Sequence, residues 1–147
     1  MKIYLDVCCL NRPFDNQRQD RIKAEAAAVE QIIDKLHMRE WEWVGSDVID
    51  LEVSRTPNLE RRRRVGLLAT SMHHKVTVGT REMLRSAEIE ALGFSPIDAL
   101  HLACAESGDV DVFLTTDDKL LRAGERSSAD LKLAVRNPMA WLEEVGV

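Results

Sequence analysis

The chain opens on Lys2-Ile3-Tyr4-Leu5-Asp6, a short apolar run that ends on an acid. Its β-branched and aromatic residues favour a strand, and it is too short for a buried helix. It lacks the polar alternation of a half-exposed strand, so it suits a strand buried on both faces of a parallel sheet. Open sheets of this kind collect ligands at the carboxyl ends of their strands. Asp6 stands at such an end, and this directs attention to other acids that the fold can bring beside it.

Strand and helix signals alternate along the rest of the chain. Residues 7–16, with Asn11, Pro13 and Asp15, read as a loop. Asp20 can cap a helix that runs to about Met38, with Ala26, Val29, Ile32, Ile33 and Leu36 at helical spacing. Glu25, Glu30 and Asp34 share its other faces. Trp41–Val44 reads as a second strand. Ser46 caps a helix from Asp47 to about Arg55, stopped by Pro57. Asn58 caps a helix from Leu59 to about His74, with an apolar stripe of Val65, Leu67, Leu68 and Met72. Lys75–Val78 reads as a third strand. Thr80 starts a helix that ends near Leu92 and Gly93. Ser95-Pro96 opens another, apolar nearly all round and therefore buried, which stops near Gly108. Val110–Thr115 reads as the fourth strand, Lys119–Ala123 as a helix closed by Gly124, and the alternating Leu131–Val135 as the last strand. Asn137-Pro138 starts a terminal helix. This alternation predicts an α/β sandwich, a mainly parallel sheet covered on both faces. No repeat or linker divides it, so residues 1–147 read as one domain.

Composition narrows the function classes. With 45% hydrophobic residues, 31% charged residues and a net charge of −5, the chain can build a core and is not compositionally disordered. No apolar run approaches the ~18 residues of a membrane span. The N-terminus lacks a basic region followed by an apolar signal core, so a cytoplasmic location is the expectation. Cys8, Cys9 and Cys104 are an odd set with two neighbours adjacent, which argues against a disulfide framework. Cys8-Cys9 and His73-His74 are too close in sequence for zinc-ligand spacing. Cys8 and Cys104 read as small buried hydrophobes. The acidic balance leaves room only for a local basic patch.

Four acids carry the chemical signal. Asp6 and Asp117 both fall at carboxyl ends of strands. Glu52 is flanked by Val48, Ile49, Leu51 and Val53; it reads either as an acid turned toward apolar surroundings or as an ordinary surface glutamate. Asp98 lies in the first turn of the buried helix, where it reads either as a helix-dipole partner or as an acid carried inward. His101, one turn on, reads as a satisfied semi-buried histidine. Four carboxylates meeting in one cleft repel one another and raise each other's pKa. A hard divalent cation resolves that conflict, and oxygen-only ligation points to magnesium or manganese. Such an ion activates water and neutralises charge on a phosphoryl group, which makes phosphodiester hydrolysis the natural reaction. No Gly-rich phosphate loop, GxGxxG or Ser-His-Asp set is present. Aspartate-based phosphatases also end a first strand on Asp, but they place a second acid two residues on, where this chain has Cys8. Arg61-Arg62-Arg63-Arg64 reads as a solvated face or as a phosphate-contacting patch, with Arg62 and Arg63, together with Asn11, as the candidate RNA contacts.

Four segments together resemble a PIN-domain nuclease, of the kind that serves as the toxin (VapC-like) in virulence-associated bacterial toxin–antitoxin pairs. They are Tyr4-Leu5-Asp6 with Asn11-Arg12-Pro13, Ser46 to Glu52, Ser95 to Ala103 with its Asp98-Ala99-Leu100-His101-Leu102-Ala103 run, and Leu114-Thr115-Thr116-Asp117. The resemblance implies a three-layer fold around a five-stranded parallel sheet. It implies Asp6, Glu52, Asp98 and Asp117 as catalytic acids holding magnesium or manganese, and single-stranded or loop RNA as substrate. A homodimer and a protein antitoxin that occludes the site are also implied. Relatives commonly place small polar residues after the first acid, where this chain has Val7-Cys8-Cys9. Two consequences are expected: Asn11 as a partial substitute near the site, and, as the alternative function, a PIN-like domain that binds RNA or a partner with little or no cleavage.

Overall fold

The computed structural model describes residues 1–146. Five strands, β1 (Lys2–Leu5), β2 (Glu42–Ser46), β3 (His74–Val76), β4 (Val112–Leu114) and β5 (Ala134–Arg136), form an all-parallel sheet in the order β3-β2-β1-β4-β5. The chain therefore starts in the middle of the sheet. It builds outward through β2 to β3, then crosses back to β4 and β5. Right-handed crossovers in opposite directions put their helices on opposite faces. β1 is enclosed on both sides: Ile3, Tyr4 and Leu5 are each 0% exposed. The expected buried central strand and helix-covered parallel sheet are both present.

The helices are α1 (Val7–Asn11), α2 (Asp20–His37), α3 (Asp47–Ser54), α4 (Leu59–Ala69), α5 (Thr80–Ala91), α6 (Pro96–Ser107), α7 (Asp118–Arg126) and α8 (Pro138–Val145). Ser46 caps α3 through Val48 N–H, Asn58 caps α4 through Arg61 N–H, and Ser95 caps α6 through Asp98 N–H. No helix among the described residues is long and apolar enough to cross a membrane.

Several segments differ from their sequence reading. Residues 7–16 contain α1 and a 3-10 turn, Arg12–Phe14, because the Asp6 carboxylate accepts the Val7 N–H and nucleates a helix directly off β1. α4 stops at Ala69 instead of continuing to His74. The chain unwinds so that His73 N–H can donate to the Trp43 carbonyl at 2.9 Å and lead into β3. The apolar stripe of α4 shifts accordingly: Val65 and Ala69 are buried, while Leu67 is 73% exposed. α7 runs through Gly124 to Arg126. That glycine is a packing residue, since a Cβ there would lie 2.8 Å from the Val135 Cβ. Leu131 and Leu133 are buried as their alternation suggests, but the ladder to β4 begins only at Ala134.

Glu25 departs most from its reading. It is 1% exposed and accepts from Arg12 at 2.9 and 2.8 Å, from Arg21 at 3.3 Å and from Asn137 at 2.6 Å. It thereby ties α2 to the Arg12–Phe14 turn and to the start of α8. Arg21 also reaches Asp118 and the Thr116 carbonyl, extending the network to the loop after β4. Removing the acid leaves Arg12 with Asp15 alone and takes the acceptor from Arg12 Nε and Nη2 and from the Asn137 amide, so Glu25→Ala should cost about 3 kcal/mol by urea denaturation. A loss under about 1 kcal/mol, the scale of a surface pair, would contradict this.

A second carboxylate ties α5 to α6. Glu82 accepts the Gly79 N–H at 2.8 Å and the Ser107 hydroxyl at 2.5 Å. The Ser107 bond first, then the Gly79 N–H, holds its carboxyl below the ordinary value of 4.5. A carboxyl lowered on folding contributes stability that is complete above its unfolded pKa and disappears as pH falls through the folded value. The stability advantage of wild type over Glu82→Gln should therefore be present at neutral pH and shrink once pH falls below about 4.5. An advantage independent of pH would exclude the linkage.

Candidate active site

The sheet order reverses between β1 and β4, which opens a crevice at their carboxyl ends. Tyr4 pairs with Phe113 and Leu5 with Leu114, so Asp6 emerges opposite Thr115. The Asp6 backbone N–H donates to the Leu114 carbonyl at 3.0 Å. The Asp6 side chain, 7% exposed, is held at both oxygens. Oδ1 accepts the Val7 N–H at 2.9 Å, and Oδ2 accepts the Thr115 hydroxyl at 2.9 Å and the Cys8 thiol at 3.4 Å. The Thr115 Oγ1 in turn accepts the Asp117 N–H at 3.2 Å. One hydroxyl thus clasps the turns that carry two of the predicted acids.

Glu52 comes from α3 and is one-third exposed. It pairs with His101 Nε2, which α6 delivers almost fully buried. Ligand atoms of Asp6, Glu52 and His101 all lie within 4.8 Å of one another. Asp98, half-buried in the first turn of α6, lies within electrostatic reach. Burial pushes its carboxyl up, the Ser95 hydroxyl pulls it back, and the charges of Asp6 and Asp117 push it up again. Burial likewise raises the Asp6 carboxyl, His101 and Thr115 lower it, and Glu52 adds to the rise. Asp117 is exposed and caps α7, its Oδ1 accepting Lys119 and Leu120 N–H groups. Asp118 is the first residue of α7 and pairs with Arg21.

The structure also places the remaining candidates. Asn11 turns back on its own helix, donating to the Val7 carbonyl at 3.0 Å, and its oxygen meets Arg61 at 3.5 Å. Arg61 is anchored at Asp15 and the Phe14 carbonyl, and Arg64 pairs with Glu60. Arg62 is half-buried and Arg63 exposed, and neither makes an ion pair among the described residues.

Sequence reasoning missed Thr115, Cys8 and Tyr4 as parts of this site. Thr115 was visible only through the β1–β4 register. Cys8, read as a buried hydrophobe, is half-buried, meets Asp6 and accepts the Thr116 N–H at 3.3 Å. Tyr4 points its hydroxyl from the central strand to His101 and Ser46.

The donor set is carboxylate oxygen, crowded and partly desolvated, and it fits a hard divalent cation. The imidazole is not a free ligand, because both ring nitrogens already have hydrogen-bond partners in Tyr4 and Glu52. A site built this way is destabilising when metal-free. Asp98→Asn should therefore raise the thermal midpoint in excess chelator; a lower midpoint would mean that the Asp98 charge is locally compensated.

A family model described as PIN domain matches residues 3–126. No curated protein matches the chain. Among solved structures, VapBC2 from Rickettsia felis, bound to a DNA fragment from its promoter, is 14% identical with a TM-score of 0.61. That likeness covers 93% of this chain and 98% of the other. VapBC-1 from nontypeable Haemophilus influenzae is 17% identical with a TM-score of 0.60, covering 94% and 98%. PAE2754 from Pyrobaculum aerophilum is 17% identical with a TM-score of 0.55, covering 100% and 91%. At such identities these likenesses speak to fold, and together with the match over most of its length they show that the chain belongs to the PIN domain family.

Proposed function

We propose that this protein is a magnesium- or manganese-dependent endoribonuclease and the toxin of a toxin–antitoxin pair. The observation that carries the reading is the approach of Asp6 and Glu52, with His101, to within 4.8 Å of one another at the point where the strand order reverses; Asp98 lies outside that cluster but feels the charges of Asp6 and Asp117. Asp6, Glu52, Asp98 and Asp117 would hold the ion. The chemistry supplied by a magnesium or manganese ion held there is activation of water and neutralisation of charge building on a phosphoryl group. The chain's own contribution is placement. Val7 N–H and Thr115 fix Asp6, α7 fixes Asp117 as its cap, and His101 fixes Glu52. The family favours RNA as the polymer, cleaved in single-stranded or loop regions. The VapBC structures among the fold neighbours favour a protein antitoxin. A homodimeric, cytoplasmic toxin is the working form that the family resemblance and the sequence reading add.

Val7-Cys8-Cys9 does not favour the non-cleaving alternative. The Cys8 thiol already occupies the polar position beside Asp6 and Thr115.

Manganese should raise the thermal midpoint of wild type, by about 2.7 kcal/mol of stabilisation at a hundredfold excess over Kd. Asp6→Asn keeps a capping oxygen for Val7 N–H, so it should fold, lose the manganese effect and cleave no RNA. RNA cleavage that persists undiminished in excess chelator would refute the metal mechanism. If Arg62 and Arg63 each neutralise one phosphate, replacing both with Gln should flatten the slope of log affinity against log salt by about 1.4. An unchanged slope would leave them as solvated surface.

A further inference from the structure

A buried chain of side chains runs behind the acid cluster. Ser46, at the end of β2, is 0% exposed and meets the Tyr4 hydroxyl at 2.6 Å. That hydroxyl meets His101 Nδ1 at 2.6 Å, and His101 Nε2 meets Glu52. The Tyr4 ring is stacked on Phe113, with centroids 5.1 Å apart and planes 15° from parallel, and lies edge-on to the imidazole. Both rings are locked by packing, whereas Glu52 is a long side chain on a short helix, one-third exposed. Left alone, its carboxylate would sample several rotamers.

The polarity of this chain follows from its end. An ionised carboxylate only accepts hydrogen bonds, so Nε2 carries the proton that faces Glu52. In the neutral ring Nδ1 is then an acceptor, the Tyr4 O–H donates to it, and the Ser46 O–H donates to the Tyr4 oxygen. Ser46 still accepts the Val48 N–H at 3.2 Å, so every member is satisfied. We propose that Tyr4 and His101 are positioning residues. They hold one oxygen of Glu52 and leave the other free for the cation, and His101 is not itself a ligand. This rests on the cation-site reading above. Partners that orient metal ligands from behind commonly matter 10–100-fold in affinity.

Manganese binding to the full chain, read from the paramagnetic resonance of the free ion, tests the role without relying on activity. Tyr4→Phe keeps the stacked ring and should weaken binding roughly 3- to 10-fold, the worth of one hydrogen bond. In a Glu52→Ala background the same change should have no further effect, because Tyr4 acts only through Glu52. Equal losses in both backgrounds overturn the relay and leave the cation site standing. His101→Gln keeps an N–H donor near the Nε2 position but gives up the Tyr4 contact, so its loss should be about that of Tyr4→Phe, whereas His101→Leu should lose roughly 10- to 100-fold. Equal losses for Gln and Leu also overturn the relay. Imidazole nitrogen coupling in the spin-echo signal of bound manganese makes His101 a ligand and refutes its positioning role. Wild type that binds no manganese overturns the cation site and this role with it.

Discussion

Like-charge crowding is the constraint around which this molecule is arranged. Asp6 is almost fully buried, Asp98 is half-buried, and each is pushed toward its neutral form by burial and by the other acids nearby. Such an arrangement costs stability and persists only because the surrounding fold over-determines it. The β1–β4 register, the Thr115 hydroxyl and the α1 N-terminus hold Asp6 in place whether or not its charge is welcome. A cleft that brings carboxylates together in this way is compatible with a bound hard cation.

The supporting structure is itself polar and buried. The Glu25 network ties α2, the Arg12–Phe14 turn and α8 together, and through Arg21 it reaches the loop that carries Asp117. The Glu82 contacts tie α5 to the C-terminal end of α6, whose N-terminal half carries Asp98 and His101. Both acids are satisfied by named partners; Asp6 is hydrogen-bonded too, but burial and the charge of Glu52 still push its carboxyl up. The difference separates carboxylates that stabilise the fold from those that burden it.

Much of this was legible in the sequence, because the strongest signals are local. The short apolar runs ending on Asp6 and at Thr115, the Ser46 and Ser95 caps, and the Asp98 position follow from propensity and capping chemistry within a few residues. Other features depend on pairings across the chain. Residues 7–11 carry loop-forming neighbours, yet Asp6 nucleates a helix there. Glu25 looks like one more surface acid on α2 until Arg12 and Asn137 close over it. Gly124 resembles a helix stop, but it is needed for contact with Val135 in a strand that comes later. From the sequence, Tyr4 reads as a strand residue and as part of the Tyr4-Leu5-Asp6 segment, with no role for its hydroxyl. Its hydroxyl acquires a role because β2 and α6 deliver Ser46 and His101 to it.

The most direct measurement is anomalous diffraction from a crystal grown with manganese. The account predicts one or two anomalous peaks between the carboxylates of Asp6, Glu52, Asp98 and Asp117, with Asp6 a direct ligand and His101 still paired with Glu52. A well-ordered cleft with no peak at millimolar manganese, or peaks only on carboxylates elsewhere on the surface, would contradict it.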